Sequence, residues 1–218
     1  MTFQALQAEV SRRLAEVSSG RIVWSLDEIK QAINDGYAEI SDAVEWNEQW
    51  EDLDLLADRP YYDLRAILGE AFLALRPAFD RQTNRWLIPS TVEELDQHDR
   101  RWERVTGEPQ RLVLRGLWWL GLYPRIQSEI GQIKQGFVAL PDPLEEDEDE
   151  PGIPDTFQYA LVDFALTDLW AQDGEVSLAL AAWAAYLKNE DEFREWLDGR
   201  AGGPMRRGFF GSAGTVTG

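Results

Sequence analysis

Residues 24–40 read WSLDEIKQAINDGYAEI. Ser25 and Glu28 stand three apart, the spacing at which a hydroxyl and a carboxylate reciprocally satisfy the first free N–H groups of a helix. Trp24 and Ile29 flank that box as a hydrophobic staple, and Ile29, Ile33, Tyr37 and Ile40 continue a single face. The stretch predicts a helix over about 26–46. It decides the fold because the residues before it share its period and those after it do not.

Upstream, Phe3, Leu6, Val10, Leu14 and Val17 recur at spacings of three and four, while Arg12, Arg13 and Glu16 fall elsewhere, so a first helix ends near Gly20. Downstream the period changes. Trp50 to Leu55, Pro60 to Leu68, Glu70 to Leu75 and Asn84 to Pro89 are short, rich in aromatic and branched residues, and separated by turn formers, as strands are. One short helix interrupts them, opened by Ser90 or Thr91 with Glu93 or Glu94 three residues on, and carrying Val92, Leu95 and Trp102 inward. QRLVLRGLWWLGLYP (110–124) and GQIKQGFVAL (131–140) read as further strands. The helical period returns at Asp155, a candidate cap with Gln158 three residues on. Phe157, Leu161, Phe164, Leu166 and Leu169 make this helix apolar nearly all round. A last helix over about 175–198 opens on the alanine-dense SLALAAWAAYL, which lets another helix approach closely.

The expected fold is therefore α+β. Residues 1–46 and 155–198 supply a four-helix core, 47–154 form an inserted antiparallel β-rich region with one short helix and an acidic linker, and 199–218 make a flexible tail. A chain of 218 residues buries roughly 70% of its unfolded surface, so a real core is expected.

Composition removes several function classes. A formal charge of −19 repels a phosphate backbone and disfavours direct nucleic-acid recognition, although an acidic wall suits DNA that must slide past. The absence of cysteine removes thiol nucleophiles, disulfides and cysteine-based metal sites. No stretch approaches the roughly 20 apolar residues of a membrane span, and the chain reads as cytosolic and soluble. His98, the one histidine, lies among charged neighbours, and no phosphate loop, dinucleotide fingerprint, HExxH or GxSxG is present. Catalytic, cofactor and metal residues are thus expected to be none. An alternative from another class, a small carboxylate-dependent cell-wall glycoside hydrolase, rests only on the abundance of acids and tryptophans.

Two segments invite a binding role. Glu145, Glu146, Asp147, Glu148, Asp149 and Glu150 form an unbroken acidic run between prolines. Asp147, Asp149 and Gly152 fit the first, third and sixth positions of a calcium loop, but Pro151 takes the fifth and Gln158 stands where a bidentate glutamate belongs. A solvated connector feeding a helix N-terminus is the plainer use. In the tail, Arg206 and Arg207 sit beside Phe209 and Phe210, a composition typical of interface anchors.

Taken together, the N-terminal pair containing WSLDEIKQAINDGYAEI, the middle PSTVEELDQHDRRWERVTGEPQRLVLRGLWWLGLYP and the sequence LPDPLEEDEDEPGIPDTFQYALVDFALTDLW resemble the head–tail connector, or adaptor, proteins of tailed bacteriophages. The resemblance covers about residues 3–198. It implies a non-enzymatic virion protein without cofactors, self-associating into a ring of about twelve copies beneath the portal. DNA would pass through that ring without sequence-specific binding, and the stopper or tail would dock on it. It further implies that Arg206, Arg207, Phe209 and Phe210 dock on the portal. The acidic run Glu145 to Glu150 would then contribute to a channel that keeps DNA mobile, and the protein would sit at the head–tail interface after synthesis in the host cytoplasm.

Overall fold

A computed structural model describes residues 1–17, 24–57, 59–127 and 130–200. The chain is α+β and its described residues divide into two compact units: Met1–Asn47 with Leu140–Arg200, and Glu48–Ala139.

The first unit is helical. Helix α1 (Phe3–Val17) is followed by α2 (Leu26–Val44), which opens on the capping box read from the sequence: the Ser25 side chain accepts from Glu28 N, and the Glu28 side chain accepts from Ser25 N. Its far end is closed by Glu45 in the left-handed conformation, so the helix stops at Val44, two residues before the expected end. Phe3, Leu6, Val10 and Leu14 of α1 and Ile29, Ile33, Tyr37 and Ile40 of α2 are buried in one cluster with residues of the two C-terminal helices. At Gly36 a Cβ would lie 3.0 Å from the Phe164 ring, so glycine is what lets these backbones approach.

The second unit is built from strands. They are β1 (Glu48–Leu56), β2 (Tyr61–Asp63), β3 (Phe72–Asp80), β4 (Arg85–Trp86), β5 (Ile88–Ser90), β6 (Thr106–Gly107), β7 (Arg111–Arg115), β8 (Trp119–Tyr123), β9 (Arg125–Ile126) and β10 (Ile130–Ala139). One four-stranded sheet has the order β1-β10-β3-β4, another β2-β8-β7-β5, and β6 and β9 make a two-stranded ladder. The chain enters and leaves this unit on neighbouring antiparallel strands, with Glu48 opposite Val138. Leu53, Leu55, Leu75, Leu112, Leu120, Leu122, Ile133 and Phe137 fill its core.

Several local expectations are corrected. The stretch 60–68 is not one strand: Asp63 caps a short helix α3 (Leu64–Leu68) by accepting from Arg65 N at 3.0 Å, and its helix-favouring residues follow the cap. The β region is not wholly antiparallel, since β5–β7 and β6–β9 run parallel. Between β5 and β7 the chain crosses over through α4 (Val92–His98) and a 3₁₀ turn at Trp102–Arg104, and a crossover of this kind returns the next strand in the same direction. Thr91 and Glu94 form the expected capping box of α4. Trp102 lies beyond that helix, buried in the 3₁₀ turn with its indole N–H donating to Asp96 at 2.9 Å. Asp155 does not cap a helix either. It begins a 3₁₀ turn (Asp155–Phe157), and α5 (Tyr159–Gln172) starts after buried Gln158, whose amide donates to the Ile153 carbonyl.

Helix α5 buries Ala160, Leu161, Val162, Ala165, Leu166 and Leu169, covering nearly its whole circumference. The last helix, α6 (Val176–Arg200), buries Ala179, Ala182, Tyr186, Phe193 and Leu197 along one side only.

Candidate functional site

The acidic run is an ordered part of the helical unit. Its main chain supplies what the first turn of α1 lacks. A helix leaves its first N–H groups without intrahelical partners. Here Phe3 N donates to the Asp149 carbonyl at 2.7 Å and Gln4 N to the Asp147 carbonyl at 3.0 Å. The next two find Thr2: Ala5 N donates to its hydroxyl and Leu6 N to its carbonyl.

The loop is held in that shape from within. The Asp149 carboxylate accepts from Glu145 N and Glu146 N, both at 2.8 Å, and those two N–H groups hold its pKa below the usual carboxylate range. At one end Asn34 of α2 pairs with both main-chain groups of Leu144, and at the other Gly152 N donates to the Tyr37 hydroxyl at 2.8 Å. Lys30 lies 3.6 Å from Asp147. The helix N-terminus that the run serves is therefore that of α1, far away in sequence, rather than the helix that follows it. Glu145, Glu146, Glu148 and Glu150 remain exposed.

Among the described residues no group of three or more His, Asp or Glu could hold a metal ion. His98 closes α4 with its ring 6.2 Å from that of Tyr123, next to Asp96 and Asp99 and with no nucleophile in a hydrogen bond to it. Arg206, Arg207, Phe209 and Phe210 lie outside the described residues. Of the adjacent tryptophans, Trp118 packs on Phe72 with ring centroids 5.8 Å apart, whereas Trp119 at the start of β8 is half exposed.

The surface that the sequence reading left unremarked is the outer side of α6. Val176, Leu180, Ala184 and Leu187 fall on one line of the helix. All four are exposed, Leu180 by 63% of its surface. The signal was present in the sequence as apolar residues on a second face of an already amphipathic helix. That face is fixed in place by a polar contact beneath it. Asp163 of α5 accepts from Arg13 of α1 at 2.9 Å and from Asn189 of α6 at 3.0 Å. Burial pushes the Asp163 carboxyl up, against the pull of the Arg13 guanidinium and the Asn189 amide. On α1, Arg12 and Arg13 bind Glu9 together, and the Arg12 hydrogen bond leads in bringing that carboxyl down to about 2.

Comparison with known families supplies the decisive observation: the SU10 adaptor protein family matches residues 1–208. The chain belongs to the SU10 adaptor family. No curated protein matches it. This is a phage head–tail adaptor family, which implies a structural protein of the virion's head–tail joint associated with portal and tail proteins. Among the described residues of this SU10 adaptor, no helix is long and apolar enough to cross a membrane.

Proposed function

We propose that the protein assembles as a closed ring of about twelve copies beneath the portal, prolongs the DNA channel and offers the platform on which the stopper or tail docks. The observation that carries self-association is the apolar line Val176, Leu180, Ala184 and Leu187 on α6. A helix buried on one side and apolar on the other needs a second partner, and a neighbouring copy provides one at every position of a ring. In this reading the helical residues 1–46 and 155–198 form the ring body, and the β-rich insert presents the platform. Arg206, Arg207, Phe209 and Phe210 reach the portal, supported by their anchor-like composition in a glycine-rich segment.

The exposed acids Glu145, Glu146, Glu148 and Glu150 face the channel and keep DNA mobile, an effect confined to about 8–10 Å of the wall by salt. Co-purification with the portal ring tests the reading. Full-length protein is expected to bind and protein ending at residue 200 to be lost. Failure of the full-length chain to bind removes the portal assignment. Glutamine at those four positions is expected to slow DNA ejection at low salt, and unchanged ejection removes the electrostatic role.

A further inference from the structure

Among the described residues of the β-rich unit, the three most exposed large apolar ones are Leu117, at 73%, and Trp86 and Ile88, at 58% each. They form two different features. Leu117 is the tip of the β7–β8 hairpin, where Gly116 turns the chain with a φ of 63°. The tip is braced from behind: Trp118 packs on Phe72, its carbonyl accepts from Leu64 N at 2.8 Å, and the Arg65 guanidinium lies over its ring. A braced aliphatic tip is a rigid knob, so little conformational freedom is lost when it is buried. Trp86 and Ile88, with Pro109 and Gln110, line a cleft of about 170 Å³. A cavity of about 150 Å³ admits a benzene-sized group, so this one has room for a leucine side chain.

The knob and the cleft lie at opposite ends of one strand. Gln110 at the cleft immediately precedes β7, and Leu117 lies just beyond its other end. At about 3.3 Å per residue that places them roughly 20 Å apart on a single rigid ladder. A molecule cannot insert its own knob into its own cleft, but a second copy can, and the contact is then head to tail. Charge permits it as well. Copies carrying −19 each repel one another, yet beside the knob Arg65 pairs with Glu70 and Arg115 with Glu103, and the cleft sets Arg85 against Glu108. These are surfaces on which two copies meet with little like-charge repulsion.

We infer that Leu117 of one copy seats between Trp86 and Ile88 of the next, making a heterologous contact between neighbouring β-rich units. The inference deepens the ring reading above and rests on it, since a head-to-tail contact closes only if the rotation per copy does. The chain has no cysteine, so disulfide trapping is clean. Full-length Leu117→Cys and Ile88→Cys proteins, each with an unchanged thermal melt, are mixed under mild oxidation, free and in the presence of the portal ring. Leu117→Cys mixed with Leu26→Cys, another exposed position, is the control. The expected result is a dimer band from the 117–88 mixture that is absent from the control, and a ladder from the double variant. A portal-bound ring without the 117–88 band overturns this contact and leaves the ring standing. The band without portal binding upholds the contact and removes the ring beneath the portal. Absence of both overturns both.

Discussion

Replacing Arg13 by methionine should destabilise the helical unit in a way that depends on pH. The substitution removes the guanidinium from Asp163 and keeps an apolar stem in its place. Asp163 then retains Asn189 as its one side-chain partner while 9% of its own side chain is exposed. Breaking a fully buried ion pair from one side costs about 3–5 kcal/mol. Because the Arg13 side chain is 30% exposed, water screens part of that, and about 1–3 kcal/mol is expected. For a chain of this size that lowers Tm by about 3–9 °C, read from the helical circular dichroism signal.

The sign of the pH dependence follows from the raised pKa of Asp163. The folded state takes up its proton at a higher pH than the unfolded state, and more so without Arg13. Stability relative to the wild type is therefore regained as pH falls from neutrality towards the ordinary carboxylate range near ~4. Asp163→Asn in the Arg13→Met background should recover part of the loss at neutral pH. Arg12→Met, which loses exposed Glu16 and leaves half-buried Glu9 with Arg13 as its remaining partner, should lower Tm by less than Arg13→Met does. A deficit that stays constant between pH 7 and 4, or an Arg12→Met variant as damaged as Arg13→Met, refutes the reasoning.

Tyr37→Phe removes the acceptor of Gly152 N, which no water can replace without entering beside Trp46; a loss of about 1–2 kcal/mol is expected by chemical denaturation. In the β-rich unit, a Cβ at Gly136 would lie 2.8 Å from Arg76 and 3.0 Å from the Trp50 ring, so Gly136→Ala should cost about 1–3 kcal/mol and shift tryptophan fluorescence. Leu180→Asp, on the outer line of α6, should leave the unfolding free energy within about 0.5 kcal/mol of wild type while reducing association between copies in sedimentation.

Much of the helical unit was legible because its signals are local. Ser25 with Glu28 and the spacing of Ile29, Ile33, Tyr37 and Ile40 specify α2 without reference to the rest of the chain. The β-rich unit was less so, since pairing depends on partners distant in sequence: nothing near Ile88 tells that it runs parallel to Arg111. Asp63 hid a helix inside an apparent strand because a single capping side chain outweighed the branched pattern around it. The acidic run was the least legible. Its charges are conspicuous, but its structural work is done by the carbonyls of Asp147 and Asp149, which every residue possesses and no composition reveals. The outer face of α6 was readable only after the buried face was known, because both are apolar.

The most direct test of the account is the mass of the complex between the full-length protein and its portal ring, measured by native mass spectrometry. A closed assembly with one adaptor copy per portal subunit, about twelve in all, is expected, and Leu180→Asp depletes it. A portal ring that binds the wild-type chain in a small or variable number, or an assembly indifferent to Leu180→Asp, would contradict it.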